Sequence, residues 1–509
     1  MGAGFAGLFI AAGPDIPSLP WAYIGGVVRF TLLQAALSTL LSLLLGGAMA
    51  VALARRVRFP GRDIFVAALN LASVLPAIVA VFGIVAVLGR SGWVGQAARL
   101  VGIDPGAWLY GLPGILVAHV FFNAPFAARI YLAALAAVPG EHWRLAAQLG
   151  MRPGAVFRFI DLPVLRREAP AIAALVFLLC FTSFAIVLAL GGGPNAATLE
   201  VAIYEAVRFD VDFARAGLLA LLQVAICLTI ALPFLWLARR PGETAAIGVV
   251  LERPDADYRP ILILDAAALV LGALLVLPPL VAVALSGVAA VRSLFQAEVL
   301  SAALTSFAIA LPAAGIAVGM ALALAASARA LALNGRLGTA NALTLPGGLI
   351  LAVPPVAISA GLFVVLRTVA DPFALAIPLI ILVNGLTALP FALRQVEPPL
   401  TLSAERYGRL SESLGISGSA RIRIVDWPLL RRPLFAALAV AAALSLGDLG
   451  VAAFFGSGSI STLPLLLYER MGAYRLEEAG SVALVLALLV LGLFLLAQKW
   501  SGDALARSR

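Results

Sequence analysis

Glu141-His-Trp-Arg-Leu-Ala-Ala-Gln-Leu-Gly150, running on to Ile160-Asp-Leu-Pro163, returns later as Glu405-Arg-Tyr-Gly-Arg-Leu-Ser-Glu-Ser-Leu-Gly415, running on to Val425-Asp-Trp-Pro428. Gly150 to Pro163 and Gly415 to Pro428 are both thirteen steps. One offset of 265 residues therefore pairs the glycines, Ile160 with Val425, Asp161 with Asp426 and Pro163 with Pro428. A basic segment, glycine, aliphatic residue, aspartate and proline recurring together mark an internal duplication.

Almost everything around the two copies is apolar. Of 509 residues, 62% are hydrophobic and 12% charged, where a soluble domain carries roughly 25% charged residues. A water-soluble surface cannot be built from half that share, so most of the outer surface must face lipid. The net charge is +9 and Lys499 is the only lysine. The arginines fall in short segments between apolar runs, so topology explains them better than a nucleic-acid partner does. Cys180 and Cys227 lie inside apolar runs and read as small buried hydrophobes. His119 and His142 have no CxxC or HExxH beside them, so no metal site is expected.

A bilayer core of ~30 Å needs about 20 apolar helical residues. Runs of that kind lie near 31–53, 64–89, 112–133, 170–190, 216–238, 261–286, 301–326, 343–366, 373–394, 434–455 and 478–498, eleven in all. Arginine concentrates in alternate connections: 54–63, 134–169, 239–240, 329–336 and 395–433. The positive-inside rule places these, and the C-terminus with Lys499, in the cytoplasm, as expected of a multi-pass protein of a bacterial inner membrane. The connection at 191–213 is glycine-rich and then acidic. Six crossings separate the two copies of the opening motif, so both face the same side. The repeats are parallel, which disfavours inverted-repeat secondary transporters.

The chain divides into a first transmembrane repeat over 1–240, a cytoplasmic linker over 241–260, a second repeat over 261–500 and a tail over 501–509. The offset puts the partner of the 261–286 run near −4 to 21, where only the apolar stub Met1–Ala12 stands. The expectation is a first repeat whose first helix is truncated, or whose start is misassigned. The stub has no positive n-region and does not read as a signal peptide.

Each basic segment reads as a short helix, a turn and a second amphipathic piece. Leu145, Ala146 and Leu149 recur at helical spacing, and the small Ala146 and Ala147 let another surface approach. Gly150 can take a positive φ that ends the first helix. A single such segment would pass for a solvated basic loop. Two at one spacing point to docking elements for a soluble partner, one per repeat.

These segments resemble the EAA loop of bacterial ABC importer permeases: Glu-Ala-Ala, three residues, Gly, nine residues, Ile, one residue, Leu-Pro. Gly150, Ile160, Leu162 and Pro163 fit it, as do Gly415 and Pro428, with Val425 and Trp427 replacing the aliphatic residue and the leucine. Arg144-Leu145-Ala146 and Arg409-Leu410-Ser411 stand where Glu-Ala-Ala would, with Glu141 and Glu405 a few residues upstream. The resemblance implies an all-α polytopic helical bundle, two tandem parallel copies of the type I, MetI-like importer transmembrane domain. It also implies partners: two copies of a cytoplasmic ATP-binding subunit carrying ATP and Mg, and a periplasmic substrate-binding protein.

A closer resemblance, over nearly the whole chain, is to thiamine/thiamine pyrophosphate permeases. It rests on Val81–Trp93, His119-Val-Phe-Phe-Asn123 with Pro125, Gln148–Arg152 and Ser183–Pro194. It continues through Ala202-Ile-Tyr204, Asp210-Val-Asp212, Ala214-Arg-Ala216, Leu444–Gly450 and Thr462-Leu-Pro464. It implies import of thiamine or its pyrophosphate. Ferric-iron and phosphonate permeases share the fused architecture and are the nearest alternatives.

No GxxxxGK[ST] loop exists, and Lys499 is followed by Trp500. ATP is therefore expected on another chain, with no cofactor and no enzyme activity in this one. Polar residues inside the spans are candidates for a substrate pathway. Asn123, Ser183 and Asp448 lead, the last two related by the offset. Asn70, Arg129, Gln223 and Asn384 read as interhelical hydrogen-bonding groups, and Pro76, Pro125, Pro312 and Pro390 as kinks. An ion-coupled secondary transporter would need intramembrane carboxylates, which are scarce, and a structural scaffold would leave the duplicated segments unexplained.

Overall fold

The computed structural model describes residues 20–502, apart from 105, 194–195, 239–252, 254, 257, 291–292, 294, 351–352, 368 and 457–459. The apolar stub, most of the expected linker and nearly all of the tail lie outside the described residues. Among those described, every regular element is helical.

Among the described residues each of the eleven apolar runs is mainly helical, and nine helices there are long and apolar enough to cross a membrane. Runs at 170–190 and 343–366 supply none of these nine and are broken, as 64–89 and 434–455 are too. The first is divided between helices Leu162–Phe181 and Ala185–Leu190, the second between Leu337–Leu349 and Pro355–Leu366. Pro354 caps the last of these with φ −62° and ψ 136°, and proline steers the residue before it out of helical geometry. Pro76 occupies the N-cap of Ala77–Leu88 with similar angles, after Arg62–Ala72 has closed at Ser73. Pro125, Pro312 and Pro390 instead ride inside continuous helices, Leu112–Ala136, Ala297–Leu333 and Ala376–Ser413. Neighbouring helices can satisfy the carbonyls that an internal proline frees.

The chain packs as two compact units. One comprises Pro20–Val201 with Thr229–Ser286, the other Ala202–Leu228 with the chain from Gly287 onward. Each unit thus takes helices from both sequence repeats.

In the unit containing Pro20–Val201, helix Trp21–Arg55 packs along Leu112–Ala136 and Leu162–Phe181. Lipid supplies no hydrophobic drive between helices, so close backbone approach and hydrogen bonds must hold them. Gly46 provides the approach: a Cβ there would lie 2.7 Å from Ala127 Cβ and 2.8 Å from Ala124 O. Hydrogen bonds supply the rest. Gln34 Nε2 donates to Cys180 O at 2.9 Å, and Ser38 Oγ pairs with His119 Nδ1 at 3.0 Å. Cys180 is fully buried.

In the second unit, helices Ala297–Leu333, Ala376–Ser413 and Trp427–Leu446 meet over an alanine-rich core of Ala317, Ala321, Ala388, Ala392 and Ala441. One hydrogen bond is shared by both repeats. Leu199 N donates to Thr31 Oγ1 at 3.0 Å, and Leu463 N donates to Ser306 Oγ at 2.9 Å. The two donors are 264 positions apart and the two acceptors 275. The single offset of 265 therefore fails at the first core helix, because the second repeat is shorter between that helix and the basic segment.

Gly46→Val should clash with Ala124 and Ala127 and cost about 1–3 kcal/mol, the range for overpacking a tight contact. Gly26→Val should be near neutral, since no atom lies within 4 Å of the added Cβ. Unfolding midpoints of the two variants in detergent check this.

Candidate functional site

The first basic segment begins with helix Gly140–Gln148, set off from Leu112–Ala136 by a turn whose Pro139 occupies the N-cap. The second has no such break: helix Ala376–Ser413 runs straight through it. Both then close alike. Gly150 has φ +58° and Gly415 φ +65°, the left-handed conformation that glycine adopts without cost. Gly150 N donates to Ala147 O and Met151 N to Ala146 O, while Gly415 N donates to Glu412 O and Ile416 N to Ser411 O. Short helices Pro153–Val156 and Gly418–Arg421 follow. Next come wide π turns at Phe157–Asp161 and Ile422–Asp426, in which Leu162 N–H reaches Phe157 O and Trp427 N–H reaches Ile422 O. Such turns gather at functional positions.

The outer faces of the two segments agree position by position. Leu145 and Leu149 are 53% and 67% exposed, and Leu410 and Leu414, their partners at the offset, 55% and 64%. Glu141, Arg144, Ala147, Glu405 and Arg409 are exposed beside them. Ala146 corrects the reading of a single outward stripe. It is 1% exposed and packs under the helix with Trp143, Val138 and Val156. The helix turns 100° per residue, so Trp143 and Ala146 share one face while Leu145 and Leu149 share another. Ile160, Leu162 and Val425 are half-buried, and Pro163 and Pro428 exposed.

Beneath each segment lies a buried aspartate whose role the sequence reading did not assign. Asp426 Oδ1 accepts from Arg329 Nη1 at 2.9 Å and from Ser403 Oγ at 2.5 Å. Asp161 is 0% exposed, and its Oδ2 accepts from Arg253 Nη2 at 2.7 Å, with Arg55 Nη2 at 3.8 Å. Arg253 also donates from Nε to Asp255 Oδ1 at 3.1 Å, and Arg55 donates to Asp255 Oδ2 at 2.8 Å and to Asp265 Oδ1 at 2.6 Å. Arg56 Nε donates to Asp265 Oδ2 at 2.9 Å. Three arginines thus balance three aspartates. Burial pushes the Asp255 carboxyl upward, but the hydrogen bonds and charge of Arg253 and Arg55 outweigh it and hold the carboxyl below the usual carboxylate range. The recurrence of Asp161 as Asp426 was the available signal. Arg253 carried none, because it is 92 residues away in sequence.

The pathway candidates fall at helix interruptions or polar seams. Ser183 lies in the break after Leu162–Phe181, and Asp448 in the corresponding break between Trp427–Leu446 and Gly450–Phe455. Asp448 Oδ2 accepts from Val451 N at 3.1 Å, capping the short helix. Asp448, Asn384, Ser445, Ser306 and Thr462 line a cavity of about 10 Å³, the size of one water. Asn384 Nδ2 donates to Ser445 Oγ at 2.9 Å. Asn123 Nδ2 donates to His119 O at 2.9 Å and lies 3.3 Å from Cys180 Sγ. Gln223 is buried too, whereas Asn70 and Arg129 are exposed and do not fit the interhelical reading.

The second unit also gathers aromatic rings that no sequence spacing revealed. Phe363 lies within 6.5 Å of Phe213, Phe373, Phe454 and Phe455. Arg367 sits 3.8 Å over Phe213 and Arg208 5.1 Å over Phe373, so these faces already hold cations.

No family profile matches the chain. Several curated proteins resemble it, among them the three that follow. The thiamine transport system permease protein ThiP of Brucella abortus is 44% identical over 480 residues, covering 94% of this chain and 88% of that protein. The protein of the same name from Salmonella typhimurium is 43% identical over 506 residues, covering 97% and 93%. The sulfate transport system permease protein CysW of Synechocystis is 28% identical over 202 residues, covering 39% of this chain and 72% of that protein. Agreement of this extent, over nearly the full length on both sides, means that the chain belongs to the family of thiamine transport system permease proteins.

Proposed function

We propose that this chain is the membrane-spanning subunit of an ATP-driven importer that carries thiamine or its pyrophosphate across a bacterial inner membrane. The observation that carries the reading is the matched pair of outward faces, Leu145 with Leu149 and Leu410 with Leu414. Each is an apolar patch on an ordered, glycine-closed segment, and each calls for a covering partner. Two copies of a cytoplasmic ATP-binding subunit, holding ATP and Mg, would cover them. Closure of those subunits would push on both segments and switch the pathway between its two openings. A periplasmic binding protein would deliver the solute. The names of the similar proteins support thiamine over ferric iron or phosphonate.

Reconstitution with the ATPase and the secreted binding protein tests the reading. Thiamine uptake should require ATP and all three proteins; uptake by the lone chain on an ion gradient would overturn it. Cysteines introduced by Arg152→Cys and Arg421→Cys should label from the cytoplasmic side only, both with the same impermeant reagent. Leu145→Glu combined with Leu410→Glu should weaken ATPase retention on co-purification by roughly ten- to a hundredfold per site, as loss of one buried leucine contact predicts. Either change alone should have the smaller effect.

A further inference from the structure

The two basic segments are alike outside and unlike beneath. Trp143 lies under the first, and the offset of 265 places Gly408 at the matching position of the second. On the Trp143 ring lies the Arg253 guanidinium, 4.3 Å from its centroid. The same guanidinium reaches Asp161 through Nη2 and Asp255 through Nε, and Arg253 and Asp255 are 6% and 1% exposed. One planar cation thus touches the segment's helix and its wide turn, and through Asp255 it joins Arg55 at the end of Trp21–Arg55. Arginine suits this because its rigid fork binds carboxylates while its flat face stacks on an aromatic ring. Arg253 belongs to the chain that connects the two repeats. In the second segment, Asp426 takes Arg329 and Ser403 instead, and a Cβ at Gly408 would meet no atom within 4 Å.

We propose that Arg253, held by Asp255, is a positioning residue: it latches the connecting chain onto the first basic segment through Trp143 and Asp161, so that the two segments are anchored with unequal stiffness. The latch adjusts how ATPase motion enters each half, and in that respect it rests on the docking reading above. The first segment moves as one body with the end of Trp21–Arg55. The second rests on its own long helix, with its Asp426 held by Arg329 of Ala297–Leu333 and by Ser403.

The test is spin-label mobility on the full chain in lipid nanodiscs, without the ATPase. Gln148 and Ser413 are exposed and related by the same offset. Nitroxides placed at Gln148→Cys and Ser413→Cys report the two segments, with the fully buried Cys180 and Cys227 replaced by serine. The label at 148 should show an immobilised component that the label at 413 lacks. Arg253→Met with Asp255→Asn removes one charge of each sign and keeps the remaining cluster neutral. It should abolish the immobilised component at 148 and leave the label at 413 unchanged. Should that pair fail to fold, Arg253→Lys keeps the charge but not the flat stack and should abolish the component likewise. A native spectrum at 148 in either folded variant, or equal loosening at both labels, overturns the latch. ATPase co-purification with the Arg253→Met, Asp255→Asn chain should persist, because Leu145 and Leu149 are untouched. If the unaltered chain retains no ATPase, the docking reading fails while the mobility result still decides the latch.

Discussion

A carboxylate removed from water must find a cation close by, and in both repeats that requirement is met at the turn between a basic segment and the bundle. Asp161 and Asp426 close equivalent wide turns, and each is bonded to an arginine remote in sequence, Arg253 in one case and Arg329 in the other. Removing one partner from such a buried pair leaves an uncompensated charge, at a cost of about 3–5 kcal/mol. That penalty defines where each segment sits. The exposed leucines above it can form a fixed surface only because the turn beneath cannot slide.

The remainder of the architecture follows from the lipid. Apolar side chains on the outside leave helix–helix association to small residues and polar seams. Gly46 against Ala124 and Ala127, and Gln34 on the Cys180 carbonyl, are two forms of the same solution. The bonds Thr31–Leu199 and Ser306–Leu463 show the solution repeated after duplication, even where chain lengths between the bonded residues have diverged. Asp448, which composition alone makes conspicuous, serves locally as a helix cap. Its position in a helix break matches that of Ser183, so what the duplication preserved there is the break and not the charge.

Much of this was legible in the chain. Apolar runs of membrane length declared the spans, because a helix must satisfy its own backbone in lipid. Gly150 and Gly415 declared the turns, because few other residues adopt a positive φ cheaply. A fixed spacing declared the duplication. Ala146 shares helical spacing with Leu145 and Leu149, yet whether an alanine on a short amphipathic helix points in or out depends on what lies under it, here Trp143 and Val156. The runs at 64–89, 170–190, 343–366 and 434–455 read as unbroken spans because hydropathy does not register a broken backbone.

The sequence by itself therefore determined the class of molecule, the helices, the duplication and the existence of two surface segments, since periodicity, composition and glycine chemistry are local properties. Only the tertiary structure decided which charges neutralise one another and which rings lie together. Arg55, Asp161 and Arg253 come from separate parts of the chain, as do Phe213, Phe363 and Phe454. Such pairings are set by the packing of helices far apart in sequence, and no spacing along the chain encodes them.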